Sequence, residues 1–194
     1  MSSLTVDNIT NVAATRTFNI LTDGAMKLLG SYTASNDASV DIFDGASEID
    51  VAINSTYKMY IVDCLSIVPA TDLTFLWVKF SNDAGSSFEG ANYQSWTAGT
   101  TAACEITGGT STNRLSNVAA EGGYSGRVFI YDPSDAGNMT SLLGVGIYAR
   151  SDLASAAGAT APNHYVVAEA IDGIQFLISS GNITSGLFKL YGVI

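Results

Sequence analysis

The end of the sequence constrains the fold most, because residues 165–194 are typical of two β-strands joined by a turn. Residues 173–178 (GIQFLI) are apolar and rich in β-branched and aromatic types, as strands are. Residues 179–182 (SSGN) supply turn chemistry, since Gly and Asn tolerate the positive φ of tight turns. Residues 187–194 resume the strand pattern and end on an apolar pair. The stretch therefore predicts a hairpin whose second strand runs to the last residue within a sheet.

Strand patterns recur along the rest of the sequence, separated by turn residues. Asp44-Gly45 is a strong hairpin signal between two such patterns. Gly144 and Gly146 indicate close backbone approach or a bulge within a strand. Residues 81–125 are rich in loop residues and predict short edge strands, while 152–162 predict an Ala/Gly/Ser loop. The other predicted strands cover residues 40–43, 49–53, 57–67, 73–80, 126–131, 142–150 and 165–170.

No stretch predicts an amphipathic helix. About eight or nine strands joined by turns predict an all-β fold, an antiparallel two-sheet sandwich of jelly-roll-like type. Residues 31–194 form the predicted sandwich domain, and residues 1–30 form an N-terminal extended arm. Within that arm, Leu4, Val6 and Ile9 are candidate docking residues, because residues 4–9 alternate apolar and polar types.

The composition indicates a surface that other chains cover. Charged residues make up 13% of the sequence, about half of the roughly 25% that is typical. A monomer with so few charges has difficulty covering its surface, so we expect a homo-oligomer or larger assembly. The alternative is a soluble monomer with a Ser/Thr-rich surface.

The charge balance argues against several classes of partner. The net charge is −10, and the 8 Lys and Arg residues are scattered singly. Nucleic-acid binding requires clustered cations, as does binding to an anionic membrane. No run approaches the ~18 apolar residues of a membrane-spanning helix, and the first residues lack the pattern of a signal peptide. We therefore expect no nucleic-acid and no membrane partner.

Cys64 and Cys104 permit one disulfide, but two free thiols made in a reducing cytoplasm are favoured. His164 is the sole histidine and is interpreted as a loop or strand-end residue. Asp41 and Asp50 face each other across the predicted hairpin, where solvated carboxylates are commoner than a catalytic pair. No nucleophile, phosphate-binding or zinc motif occurs. The sequence predicts no enzyme and no cofactor.

The loop after the strand at 73–80 carries two further candidate sites. Hard oxygen ligands cluster at Asn82, Asp83, Glu89 and Asn92, but the spacing of a calcium loop is missing, so a polar turn is favoured over a metal site. Three aromatic residues, Phe88, Tyr93 and Trp96, are interpreted as the apolar side of a subunit interface. A platform that stacks on a sugar is the alternative.

Several segments resemble virion proteins of tailed bacteriophages. They are YKMYIVDCLSIVPATDLTFLWVKFSNDAGSSFEGANYQSW (residues 57–96), GYSGRVFIYDP (123–133), IDGIQFLISSGNITSGLFKLYGVI (171–194) and, more weakly, LTVDNI (4–9). The similarity covers most of residues 55–194. This chain has Asp83-Ala84-Gly85 where those proteins often show Asp-Gly-Gly.

The resemblance implies a structural component of the particle and supplies no catalytic residues. A capsid decoration protein or head fibre fits the short chain, and a tail-fibre or tail-tip module fits the arm equally well. The expected partners are further copies of the chain, with a trimer favoured, and other capsid or tail proteins. A carbohydrate-binding module that recognises a host-surface glycan is the alternative. The expected location is the virion.

Overall fold

A computed structural model describes residues 9–11, 16–18, 26–95, 99–107, 115–118, 122–150 and 156–194. These residues form β-strands and no helix, so none of them belongs to a helix that could cross a membrane. The strands are β1 (Ile9–Asn11), β2 (Arg16–Phe18), β3 (Met26–Asp37), β4 (Ser39–Phe43), β5 (Ile49–Asp50), β6 (Met59–Pro69), β7 (Leu76–Ser81), β8 (Tyr93–Ser95), β9 (Gly99–Thr101), β10 (Cys104–Glu105), β11 (Tyr124–Tyr131), β12 (Met139–Ala149), β13 (Ala156–Ala168), β14 (Gly173–Ile178) and β15 (Ile183–Val193).

Two large sheets make the body of the fold. One has eight strands in the order β3-β15-β6-β11-β12-β13-β8-β9, and the other has five in the order β10-β7-β14-β4-β5. All neighbours are antiparallel except β4 and β5, which are parallel. The predicted all-β fold is confirmed, and the two sheets pack as a sandwich.

The core lies between the sheets, because each strand alternates an inward apolar residue with an outward one. Phe176 of the five-stranded sheet contacts Phe188 of the eight-stranded sheet, with ring centroids 5.4 Å apart. Phe80 contacts Tyr165 in the same way at 6.0 Å. One continuous buried cluster therefore joins the inner faces of both sheets.

The predicted C-terminal hairpin is wrong in its pairing. The turn chemistry is confirmed, since Gly181 has a φ of +82°. However, β14 pairs with β4 and β7, whereas β15 pairs with β3 and β6 in the other sheet. The connection is thus an arch between sheets, and β15 is held between two strands almost to the last residue. Local turn residues reverse the chain but do not decide which strand lies beside which.

The hairpin predicted at Asp44-Gly45 is also wrong. Gly45 has a φ of +94°, but its N–H donates to Asp50 Oδ1 at 2.7 Å, and the chain returns so that β5 runs parallel to β4. Asp41 is not opposite Asp50, because Asp50 pairs in register with Phe43. Asp41 instead accepts a hydrogen bond from Gln175 Nε2 at 3.0 Å. Burial raises the pKa of Asp41 despite that hydrogen bond.

Two other predicted boundaries differ from those in the structure. Residues 156–162, predicted as loop, are the first part of β13, whose Gly158 pairs with Ile147 of β12. Residues 26–30, assigned to the arm, belong to β3 and pair with β15. The short strands predicted within 81–125 are confirmed as β8, β9 and β10. The predicted close approach at Gly146 is confirmed, since an added Cβ there would lie 2.6 Å from the Tyr124 ring.

A buried amide joins the two sheets at their edge. Asn163 of β13 is 2% exposed. Its Nδ2 donates to the carbonyl oxygen of Glu105 at 3.0 Å, and its Oδ1 accepts from the N–H of Glu105 at 3.2 Å. The side chain thus pairs with β10 as a neighbouring strand would, and it connects the eight-stranded sheet to the five-stranded sheet.

Candidate assembly interface

Tyr93 is buried, which corrects its interpretation as part of a subunit interface or of a platform that stacks on a sugar. Its ring is fully buried between Phe80 and Tyr165, with centroid distances of 6.1 and 5.1 Å. Its hydroxyl oxygen accepts a hydrogen bond from the N–H of Phe80 at 2.8 Å. Because β8 turns this side chain inward, Tyr93 belongs to the core.

Of the other predicted site residues, the structure describes Phe88 and the backbone of Ile9. Phe88 is half-buried and packs against Phe43, with ring centroids 6.4 Å apart. Trp96 lies outside the described residues, as do Leu4 and Val6 of the arm. Ile9 is the first residue of β1. The two described aromatic residues of the loop therefore form no common exposed platform.

The oxygen-rich loop is organised by its own hydrogen bonds. Asp83 accepts from the hydroxyl of Ser87 at 2.6 Å, from the N–H of Ser87 at 2.9 Å and from the hydroxyl of Ser81 at 2.8 Å. These donors, with Ser87 as the largest cause, lower the pKa of Asp83. Within the described residues, no group of three or more His, Cys, Asp and Glu side chains is arranged to hold a metal ion.

His164 lies in a small open cleft on the eight-stranded sheet. The cleft has a volume of about 330 Å³ and is lined by Gln94, Ser95, Pro162 and His164. Nδ1 of His164 is 3.2 Å from the hydroxyl oxygen of Ser141 on the neighbouring strand. His164 lies inside strand β13, whereas the sequence predicted a loop or the end of a strand.

The cysteines are free, as predicted, and both are buried. Burial raises the pKa of each thiol. Neither thiol has the exposure or the depressed pKa of a reactive cysteine.

The surface with the clearest functional signal is one that sequence reasoning missed. It is the outer face of the eight-stranded sheet, hereafter the outer face, which points away from the five-stranded sheet. The pairing register aligns one apolar residue from each of six neighbouring strands of the sheet, which are β3, β15, β6, β11, β12 and β13. In strand order this apolar row comprises Leu28, Tyr191, Ile61, Phe129, Leu143 and Pro162.

Exposed apolar side chains concentrate on this sheet. Among the described residues, ten large hydrophobic side chains are exposed, and eight of them lie on strands of the eight-stranded sheet or directly follow β15. The most exposed within a strand is Ile147, at 63%. The eight are Met26, Leu28, Leu65, Tyr131, Met139, Val145, Ile147 and Ile194. Only Leu73 and Val118 lie elsewhere.

A short charged row crosses the middle of the outer face. Asp63 of β6 is paired in register with Lys189 of β15 and with Arg127 of β11. Nε of Arg127 lies 2.7 Å from Oδ1 of Asp63. Two cations against one anion give this row a charge of +1, on a chain whose net charge is −10. The outer face is therefore apolar with a small positive stripe.

The size of the outer face is that of a protein interface. Six strands at ~4.8 Å spacing span about 29 Å, and four outward positions along each strand span about 26 Å. The resulting footprint of roughly 750 Å² is close to the ~800 Å² that each partner contributes to a stable interface. The footprint includes the charged row, and a large exposed apolar patch on a soluble protein marks an interaction site.

No protein-family model, curated protein or solved structure matches this chain.

Proposed function

We propose that this protein is a structural subunit of a tailed-phage particle that assembles with copies of itself through the outer face. The observation that carries the proposal is the apolar outer face, in a chain with a charged fraction of 13%. Burying this face between subunits removes apolar area from water, which favours association. The similarity of residues 57–96 and 171–194 to virion proteins supports the particle as the setting.

In this function the subunit is a decoration or fibre protein of the capsid or tail, located in the virion. Copies associate, with a trimer favoured, and the ion pair of Asp63 and Arg127 stays closed within each subunit when water is excluded. The apolar row on one side, with the exposed side chains of Leu65 and Ile147 on the other, supplies apolar area. No catalytic group takes part.

Binding of a host-surface glycan is a second candidate function, and the cleft at His164 favours it. Gln94 and His164 place hydrogen-bonding groups beside the ring of Pro162, which suits a sugar with polar edges and an apolar face. Trp96 follows Ser95 of the cleft directly in sequence. Glycan-array binding that disappears on Trp96→Ala would support this function.

The test of assembly is sedimentation of the purified protein and of charged variants. We expect the wild type to sediment as an oligomer and Ile147→Glu to sediment as a monomer, because a carboxylate on the outer face has to be desolvated on association. Leu73→Glu is the matched control, since Leu73 is 49% exposed but lies off the outer face. It should associate as the wild type does.

Electron microscopy of particles with and without the subunit tests the setting. Particles that lack the subunit should lose a surface feature and regain it when the purified protein is added. A wild-type protein that stays monomeric at concentrations of tens of micromolar and leaves particles unchanged would contradict the proposal.

A further inference from the structure

We propose that the N-terminal arm of one copy, residues 1–25, docks on the outer face of a neighbouring copy. This inference rests on the proposed assembly through the outer face and specifies what covers it. Four observations support it: the arm's separate sheet, its point of departure, its charge and its area.

The arm contains a small sheet that belongs to neither layer of the sandwich. Among the described residues, strands β1 and β2 pair with each other and with no other strand, and Ile9 stands opposite Phe18. A two-stranded hairpin of this length is at best marginally stable alone in water. It gains stability when another surface covers it.

The arm leaves the body of the fold at the rim of the outer face. Met26, the first residue of β3, pairs with Val193, which in turn pairs with Met59. These three residues form the row next to the apolar row of the outer face. Residues 19–25 join β2 to Met26 and reach at most about 25 Å. That reach is enough to carry the hairpin of β1 and β2 onto a neighbouring subunit, since packed sheets lie ~10 Å apart.

Charge favours the arm of a second copy over a face-to-face pair of identical sheets. Two outer faces packed together bring two stripes of charge +1 into contact, which is unfavourable when water is excluded. The charged side chains of the arm are Asp7, Arg16 and Asp23, which sum to −1. The arm therefore complements the stripe of Lys189, Asp63 and Arg127.

The area of the outer face favours docking of the arm on another copy over folding of the arm back onto its own sheet. An arm of 25 residues in extended conformation covers roughly 400 Å², at ~3.3 Å per residue and ~4.8 Å per strand. Folded back on its own sheet, the arm leaves about half of the outer face in water. Docked on a neighbour, it brings the body of its own subunit with it, and that body covers the remainder. Repeated around a ring, this head-to-tail contact closes a cyclic oligomer.

Disulfide trapping between two single-cysteine variants tests the inference directly. Ile9→Cys is placed on one population of chains and Val145→Cys on the other, and the two are refolded together and oxidised. Both natural thiols are buried and do not compete. We expect a linked dimer of twice the 20.2 kDa chain mass on a non-reducing gel. Ile9→Cys mixed with Leu73→Cys is the control and should give no more dimer than random collision.

The double variant Ile9→Cys/Val145→Cys separates docking between chains from docking within a chain. Docking on a neighbour gives a ladder of linked chains, whereas an arm folded back gives a looped monomer. A looped monomer as the main product, or trapping no better than at Leu73, would overturn the inference.

Removal of residues 1–25 provides the second measurement. The described strands of the two large sheets begin at Met26, so the shortened chain keeps all of them. We expect the dissociation constant of the oligomer to rise at least tenfold, with an unchanged circular dichroism spectrum. If the shortened chain assembles as tightly as the full chain, the arm inference fails and the proposed assembly stands. If the full chain does not assemble, the proposed function itself fails.

Discussion

Replacing Asn163 with alanine tests how the two sheets are held together. Its amide makes a peptide-like pair with the main chain of Glu105, and its Nδ2 also donates to the carbonyl oxygen of Ala161 at 3.0 Å. Alanine removes all three hydrogen bonds and leaves a small cavity. No apolar side chain can replace the amide, because the N–H and the carbonyl of Glu105 both face it.

The expected loss of stability follows from the two main-chain groups of Glu105 that lose their hydrogen-bond partner. A buried polar group that loses its partner costs about 1–3 kcal/mol, since it has given up its hydration without a replacement. Two main-chain groups of Glu105 are affected, so we expect Asn163→Ala to lower the free energy of unfolding by about 2–5 kcal/mol. For a chain of this length that corresponds to a fall in Tm of roughly 4–20 °C.

Urea unfolding at one fixed protein concentration measures the effect, since assembly adds to apparent stability. Asn182→Ala is the matched control. Its Nδ2 also makes two hydrogen bonds, to Asn36 O at 2.9 Å and to Asn36 Oδ1 at 3.3 Å, but in an exposed loop. We expect the control to cost under about 1 kcal/mol. A loss for Asn163→Ala that does not exceed that of the control would refute the view that this amide connects the sheets.

Three further predictions follow from the packing and the local charges. Gly146→Ala places a Cβ 2.6 Å from the Tyr124 ring and should cost about 1–3 kcal/mol. Gly158→Ala, by contrast, places a Cβ 4.0 Å from the carbonyl oxygen of Gly146, an ordinary contact, and should be neutral or stabilising in thermal unfolding. NMR titration should find the pKa of Asp83 below the ordinary range of an aspartate, and Ser87→Ala should raise that pKa. The ionised carboxylate orders the loop, so this stabilisation is present above the pKa that Asp83 has in the unfolded chain. It is lost as the pH falls through the lower pKa that Asp83 has in the folded chain. Both cysteines should react with a thiol reagent only as fast as the protein unfolds, because both are buried with a raised pKa; fast labelling of the native protein would contradict this.

Local pattern identified the strands but not their partners. The turns at Gly45 and Gly181 have the positive φ that the sequence predicts. Yet the first leads into a parallel neighbour and the second into the opposite sheet. Turn chemistry is set by a few adjacent residues, whereas pairing depends on contacts between distant strands, and it is these that the sequence does not display.

The first half of β13 shows how pairing overrides intrinsic preference. Residues 156–161 (AAGATA) have weak strand propensity and were predicted as loop. They pair residue by residue with β12, where Gly158 stands opposite Ile147 and Ala161 opposite Gly144. Ala159 and Ala161 are buried in the sheet. Small side chains therefore mark a closely packed strand here, and the same composition in isolation indicates a loop.

The candidate site was hidden for a related reason. In β12, the outward residues Val145 and Ile147 alternate with the inward residues Leu142 and Tyr148. A strand that is apolar on both faces has the pattern of one buried on both faces. The sequence thus records that both faces of β12 avoid water, but only the structure shows that one face has the five-stranded sheet against it and the other has nothing from the described chain. The proposed interface therefore lies on this sheet and not at the buried ring of Tyr93, since the apolar surface left over after folding is the surface on which association can act.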